Sequence, residues 1–517
     1  MPSSRSGRTP GAAAGDPAEP RIKLSASPVF DLPDLSGLMD GVVAGTPQQD
    51  RLETTYYDTR DLRLARWGLN LRNSRSEGWT LQLPDGSNGT APARRELTIT
   101  GSPRRPPQEV LLLVRAFLRG AQLEPVARLS TRCLRVALLN GGGQELAEVM
   151  NDEVSVLHGR RVAARFREVE VDLRPGGEVV LEALLQRLRE AGVGPADLTP
   201  KHVRALGPSA LAEPDVAVRK LPPDAPAAEM IRNTLAAAVQ LVLRHDPFVR
   251  IGGDPEDVHQ ARVGTRRLRS HLRTFRPLLD RAWTDSLRHE LGWLAGELGS
   301  VRDREVLLAR LQQLATGLPA ADARPAAGLL GQLTASIESV RVSLLQSMSS
   351  QRYFDLLDRL VAAAADPVLN EAQAERASAP AARVMPALTL KPWRELRRAV
   401  SQLPEQASDE ELHQVRILAK RMRYAAEAAG PAVGTNAVKF AKLAAAVQTE
   451  LGEHQDSITA QDWLRSVVTS RRRAFVAGEL WALESARAVE ARVRWRDAWK
   501  PLDRRRARAW MTPRPAA

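Results

Sequence analysis

Residues 258–275 read VHQARVGTRRLRSHLRTF and residues 412–429 read LHQVRILAKRMRYAAEAA. His259, Gln260, Arg262, Arg266, Arg267 and Arg269 meet His413, Gln414, Arg416, Lys420, Arg421 and Arg423 at a constant offset of 154 residues. At 3.6 residues per turn, His259, Arg262, Arg266, Arg269 and Arg273 share one helical sector, while Ala261, Leu268, Leu272 and Phe275 lie opposite. The second copy sets His413, Arg416, Lys420 and Arg423 against Val415, Met422 and Ala426. Each segment is therefore expected to be a helix with one cationic and one apolar face, and a period-matched copy predicts two equivalent helices.

A basic helical face is often no more than a solvated one. Solvated faces usually interleave Asp and Glu with Lys and Arg at i,i+4, however, and neither stripe contains a carboxylate. Repulsion along such a stripe is a standing cost that an anionic partner offsets. The paired H-x-x-R-x-x-x-[RK]-x-x-R helices resemble the CHAD domain, the conserved-histidine α-helical domain. That resemblance implies inorganic polyphosphate as the ligand class and the nine stripe residues His259, Arg262, Arg266, Arg269, Arg273, His413, Arg416, Lys420 and Arg423 as its contacts.

Composition points the same way. Lys and Arg number 74 against 61 Asp and Glu, a net charge of +13, which favours a polyanionic partner. Only eight of the 74 are Lys, and Arg is the better bidentate partner for phosphate oxygens, although a GC-rich coding sequence would produce the same bias. Cys133 is the single cysteine, so neither a disulfide framework nor a cysteine zinc site is expected. There is no run of 18 apolar residues and no signal-like N-terminus. The expectation is a soluble cytoplasmic protein with no membrane partner, and the ligand class implied by the resemblance adds polyphosphate granules as a place for it. Aromatic residues make up 4% of the chain, too few for base-stacking clusters, so nucleic acid is not the expected polyanion. No P-loop or H-E-x-x-H motif occurs. His259 and His413 have Arg at ligand spacing, which argues against metal binding by these histidines.

The 517 residues are too many for one core. Residues 1–18 have the composition of a disordered tail. From Arg21 the pattern is one of short strands: RIKLSAS, LETTYYDT, GLNLRNSR, GWTLQLP, RRELTIT, VARLSTRCLRVALL, QELAEVMNDEVSVL and RFREVEVDL. Charged residues alternate along several of them, which fits an antiparallel sandwich with these charges facing water as well as an antiparallel β barrel with a polar lumen. The order of YYDT, L-x-L-R, W-x-L-x-L-P, RRE, AR-x-x-T-R, LAEV-x-x-D-x-V, REVEVDL and PKHVRAL resembles a CYTH domain, the triphosphate tunnel metalloenzyme fold, over residues 19–210. The resemblance implies the barrel, and phosphate contacts by Lys23, Arg72, Arg95, Arg128, Arg132 and Lys201. It also implies Mg²⁺ or Mn²⁺ held by Glu148, Asp152, Glu168 and Glu170 if the tunnel is active.

Two positions depart from that family's pattern. The E-x-E-x-K of the first strand is represented by Glu19, Arg21 and Lys23, which places a cation where a metal-ligating carboxylate belongs, and the W-x-L-K-L-P strand has Gln82 in place of Lys. Both changes oppose hydrolysis. The PKHVRAL segment reads as a strand or turn after a short helix at LEALLQRL, and residues 211–228 read as a Pro-rich linker. Residues 229–512 are helical in pattern apart from a Pro- and Ala-rich break near 366–392. LGSVRD (298–303) and LGEHQD (451–456) extend the repeat, so the two halves are expected to pack about a pseudo-twofold axis.

The sequence thus predicts an α+β multidomain chain: an antiparallel β tunnel or barrel, then an all-α, internally duplicated helical bundle. The expected function is binding of inorganic polyphosphate or triphosphate with an impaired tunnel. The alternative is a metal-dependent triphosphatase, or short-chain polyphosphatase, whose helical domain recruits substrate.

Overall fold

The computed structural model describes residues 21–84, 94–467 and 470–512. The expected tail at residues 1–18, and Glu19, lie outside the described residues. The chain divides into two units after Pro214.

Among the described residues the first unit contains nine strands: β1 (Arg21–Ala26), β2 (Val42–Ala44), β3 (Gln48–Asp58), β4 (Asn70–Ser74), β5 (Gly78–Pro84), β6 (Arg94–Ile99), β7 (Glu124–Asn140), β8 (Glu145–His158) and β9 (Arg161–Leu173). Four helices accompany them: α1 (Arg63–Arg66), α2 (Gln108–Leu118), α3 (Glu178–Glu190) and α4 (Lys201–Leu206). The eight expected strands are present, together with β2 and the helix α2, which the strand pattern concealed. All pairings are antiparallel, in the order β1-β9-β8-β7-β3-β4-β5-β6, with β2 also on β7.

The expected barrel is not closed. β1 and β6 end the order unpaired with each other, and the outer edge of β1 is taken by residues 194–197. Ser25 N–H donates to the Pro195 carbonyl (3.0 Å), Gly194 N–H to Ser25 (2.8 Å) and Asp197 N–H to Lys23 (3.0 Å). A strand whose edge is already hydrogen-bonded cannot also close a barrel. One face of β1, β9, β8 and β7 is apolar: Leu24, Val149, Val169 and Val171 pack against Val180, Leu184 and Leu188 of α3. The opposite face carries charge. PKHVRAL is helix α4 rather than a strand, started after Pro200 and stopped at Gly207 with φ 73°.

The second unit is helical: α5 (Ala227–Ile251), α6 (Pro255–Phe275), α7 (Arg281–Ala315), α8 (Ala323–Met348), α9 (Gln351–Ala365), α10 (Ala374–Ser378), α11 (Ala381–Ser401), α12 (Asp409–Val433), α13 (Thr435–Ser466), α14 (Arg471–Leu502) and α15 (Arg505–Arg508). The expected break near 366–392 is partly helix, since α11 continues through Pro386 and Pro392. α5, α6 and α7 begin at 227, 255 and 281, and α11, α12 and α13 at 381, 409 and 435. Each pair of starts differs by the same 154 residues as the sequence repeat. The two basic helices start by different means: Asp254 caps α6 ahead of Pro255, whereas a Ser408–Glu411 capping box starts α12.

The repeat axis is visible in the backbone. Ala227 N–H donates to the Ala379 carbonyl and Ala381 N–H to the Ala225 carbonyl, each at 2.9 Å, around a Pro226–Pro380 bridge. A shift of 154 turns each bond into the other, as an isologous contact requires. The apolar faces are buried as their period predicted: Ala261, Leu268, Leu272 and Phe275 on α6, and Val415, Met422 and Ala426 on α12. At Gly264 any Cβ would lie 2.9 Å from the Ala238 carbonyl, so this residue sets the close approach of α5 to α6.

Candidate functional site

The basic faces of α6 and α12 come together. Burial first, then Arg262 and Arg416, lower the Arg266 pKa, with Tyr424 and Asp303 acting in the other direction. Burial, followed by Arg416, Arg266 and Arg262, pushes Lys420 down to about 7, against an opposing effect of Asp456. A side chain on each helix thus feels the other helix's guanidinium groups. Asp303 and Asp456, the aspartates of LGSVRD and LGEHQD, face this cluster. Asp303 pairs with Arg262 at 2.8 Å. Burial raises the Asp456 pKa despite Arg416 and Arg310. Sequence reasoning found this repeated Asp but gave it no role.

His413 Nδ1 lies 2.7 Å from Gln455 Oε1. The His259 imidazole is depressed by burial and by Arg302, Arg266 and Arg262. Both histidines are half-buried beside their stripes, able to orient or donate, and His259 is surrounded by cations. Arg269 lies against Gly292 of α7. Arg423 is compensated, with Nε donating to Glu427 at 2.7 Å. Arg273 lines a cavity of about 640 Å³ beyond the end of its stripe, together with Arg276, Arg288, Arg376, Lys391 and Arg421. No pattern in the sequence brings these five together, because they come from four different helices and the corner after α6.

In the first unit, directly opposed residues of an antiparallel pair share a face. Ser25, Glu168, Asp152 and Cys133 form one row across β1, β9, β8 and β7, and Lys23, Glu170, Met150 and Arg135 the next. Arg72, opposite Tyr56, shares that face. Arg128 and Arg132 have the other parity on β7, where they oppose Leu157 and Glu153 and point away. Their partners are Glu53 at 2.8 Å and Glu153 at 3.9 Å. Arg95, opposite Leu83, is also at the other parity. Of the six expected phosphate contacts, Lys23, Arg72 and Lys201 are brought towards the carboxylates, and Arg95, Arg128 and Arg132 are not.

Of the four expected metal ligands, Asp152, Glu168 and Glu170 bring carboxylate oxygens within 4.8 Å of one another. Glu148 stands in another row, beside Asp172. Oxygen donors in this number suit a hard divalent cation, but their common focus is taken by the ammonium of Lys201. Its Nζ bonds to Asp152 and lies 3.3 Å from Glu168 and 3.4 Å from Glu170. Lys23 Nζ is 2.7 Å from Glu168, and Arg21 is 3.5 Å from Glu170 and 2.6 Å from Asp172. Burial would depress Lys201, yet Asp152, Glu170 and Glu168 lift it well above the usual lysine range. Burial would likewise raise Glu170, but Lys201, Arg21 and Lys23 hold it below the usual carboxylate range. As arranged, the residues do not fit a metal.

α4 is pinned where it delivers this lysine. His202 stacks on Tyr56 at 5.2 Å, the Arg204 guanidinium lies 5.1 Å from the Phe166 ring centroid, and Arg204 bonds Asp197. Gln82 donates to Glu96, and Arg72 lies 3.2 Å from the same carboxylate.

No helix among the described residues is long and apolar enough to cross a membrane. The CHAD domain family model matches residues 233–465. Two uncharacterized proteins of Mycobacterium tuberculosis are similar to the chain: MT2285 of strain CDC 1551 / Oshkosh and Rv2226 of strain ATCC 25618 / H37Rv. Each is 32% identical over 519 residues, covering 93% of this chain and 95% of the relative. Among solved structures, PptA from Streptomyces chartreusis is 26% identical with a TM-score of 0.45, covering 53% of this chain and 100% of that one. The CHAD domain from the plant Ricinus communis is 27% identical with a TM-score of 0.43, covering 57% and 95%. The chain therefore carries a CHAD domain in its helical unit and belongs, along 93% of its length, to the same family as the two mycobacterial proteins.

Proposed function

We propose that the helical unit binds inorganic polyphosphate along the α6 and α12 stripes, with the sheet unit as an accessory anion site that does not hydrolyse. The observation that carries this reading is the convergence of Arg262, Arg266, Arg416 and Lys420 on one patch, where burial, followed by the neighbouring cations, lowers the pKa of Arg266 and of Lys420. A bound polyanion relieves that repulsion by adding opposite charge beside all four cations. The α6 stripe runs from Arg262 to Arg273, about 16 Å at 1.5 Å per residue, long enough for several consecutive phosphates. The resemblance noted in the sequence supports the same ligand class.

Titration with long-chain polyphosphate at several salt concentrations tests the proposal. Four cationic contacts at about 0.7 released counterions each, the single-strand value, give a log–log salt slope of about −3. A slope near zero, or absence of binding, sinks it. RNA of equal charge should compete poorly, and equal competition would make the site a general polyanion binder.

The carboxylate cluster favours a second reading, in which the sheet unit is a divalent-metal-dependent triphosphatase and the stripes recruit substrate. The position of Lys201 opposes it. Phosphate release from tripolyphosphate with Mg²⁺ or Mn²⁺, at about 1 per second or faster, would establish that reading in place of the first.

A further inference from the structure

The two stripes are related by the repeat but do not end alike. On α6 the last basic residue is Arg273, and the residue 154 positions later on α12 is Glu427. Glu427 neutralises that end: Arg423 Nε lies at 2.7 Å and Arg267 at 3.9 Å. At the Arg273 end the cavity of about 640 Å³ gathers Arg273, Arg276, Arg288, Arg376, Lys391 and Arg421, and among the described residues Glu395 is the one carboxylate in its lining. Asp285, just behind, is shared by Arg276 at 2.7 Å and Arg288 at 3.6 Å. The positive charge of this unit is thus polar along the track, concentrated at one end in a space of ordinary ligand size.

We propose that this cavity seats the terminal phosphates of a polyphosphate chain, or a free tripolyphosphate, so that a chain is bound with its end in the cavity and its next phosphates on the α6 stripe. A terminal phosphate carries up to two negative charges and three non-bridging oxygens, where an internal one carries one charge and two such oxygens. It therefore calls for more donors at a single point. Several guanidinium groups, each able to bind two oxygens in its own plane, supply them. Burial followed by the charge of Arg273 already depresses both Arg288 and Arg421, with Asp285 and Glu395 opposing, and an incoming dianion relieves that repulsion. The inference rests on the polyphosphate reading above and adds a direction to it.

The test uses the full chain and three probes in titration calorimetry: tripolyphosphate, a long-chain polyphosphate with free ends, and the same chain with both ends capped as phosphoramidates. The wild type should prefer the free-ended chain to the capped one by about tenfold or more. Arg288→Gln with Arg421→Gln should lose that preference and bind tripolyphosphate at least about tenfold more weakly, while capped chains bind as in the wild type. Arg376→Gln with Lys391→Gln serves as a second pair should the first fail to fold, and should weaken tripolyphosphate binding about threefold. Equal affinity of the wild type for capped and free-ended chains overturns the end seat and leaves the stripe reading standing. Tripolyphosphate binding unchanged in a folded variant also overturns it. Failure of the wild type to bind any long chain removes both.

Discussion

Lys420 is a lysine whose charge is unsettled near neutrality, because it is buried and Arg416, Arg266 and Arg262 push it down to about 7. A bound polyanion favours the charged form, so the complex holds the proton more tightly than the free protein does. Below pH 7 the ammonium is present in both states and affinity is flat. Above it, binding must take up a proton, and affinity should fall by about tenfold per pH unit until the raised pKa of the complex is reached. Calorimetry in buffers of different ionisation enthalpy reads that proton directly, and an equal slope in Lys420→Gln would remove the assignment. Lys201 is the converse, an ammonium fixed by three carboxylates. Lys201→Ala should release Asp152, Glu168 and Glu170 to a hard cation and tighten Mn²⁺ binding, read by electron paramagnetic resonance, by at least about tenfold. Wild-type protein that already binds Mn²⁺ as tightly would show that the lysine does not hold the cation's place.

Between helices, a buried polar tie joins α7 to α13 and α14. Arg310 donates to Glu484 at 2.7 and 2.8 Å, to Glu453 at 2.8 Å and to Ser457 at 2.7 Å, and Glu484 is fully buried. Arg310→Ala strands that carboxylate and should cost about 3–5 kcal/mol in chemical denaturation. Arg310→Met with Glu484→Leu should restore most of the loss, since a buried pair is worth little against a well-packed apolar one. A single variant within about 1 kcal/mol of wild type, well short of the loss expected on breaking a buried pair, would deny the tie its role. These helices were legible because amphipathic period and repeat offset agree: three pairs of helix starts share the 154-residue spacing. α11 was half hidden by Pro386 and Pro392, residues that usually interrupt a helix. Strand faces were harder to read. Period two tells which residues of β7 share a face but not which face meets β8, and the register that opposes Cys133 to Asp152 turns Arg128 and Arg132 away. Sheet closure was illegible for a related reason, since the segment on the edge of β1 lies at residues 194–197, far along the chain and without a strand pattern of its own.

At the scale of the molecule, the division after Pro214 places every residue of the two stripes and of the Arg273 cavity in one unit. That unit also holds the core around Phe440, Met422 and Leu451, and a second one in which Leu307, Leu311 and Leu329 of the first repeat pack with Leu464, Val476 and Leu480 of the second. Because that second core is built from both repeats, neither repeat is expected to fold alone, whereas residues 215–512 should fold and bind polyphosphate within about threefold of the full chain. The same packing decides how the stripes act. Arg266 feels Arg416, and Lys420 feels Arg262 and Arg266, so one chain of phosphates can contact both helices. Arg262→Glu and Arg416→Glu should each lower affinity by about tenfold or more and leave stoichiometry at one chain per protein. The double variant should lose less than the product of the single losses, since residues in one electrostatic network do not contribute additively. Calorimetry separates this from the alternative directly: two independent stripes would bind two chains, and reversing the charge on one would halve the stoichiometry while the affinity of the remaining site stayed unchanged.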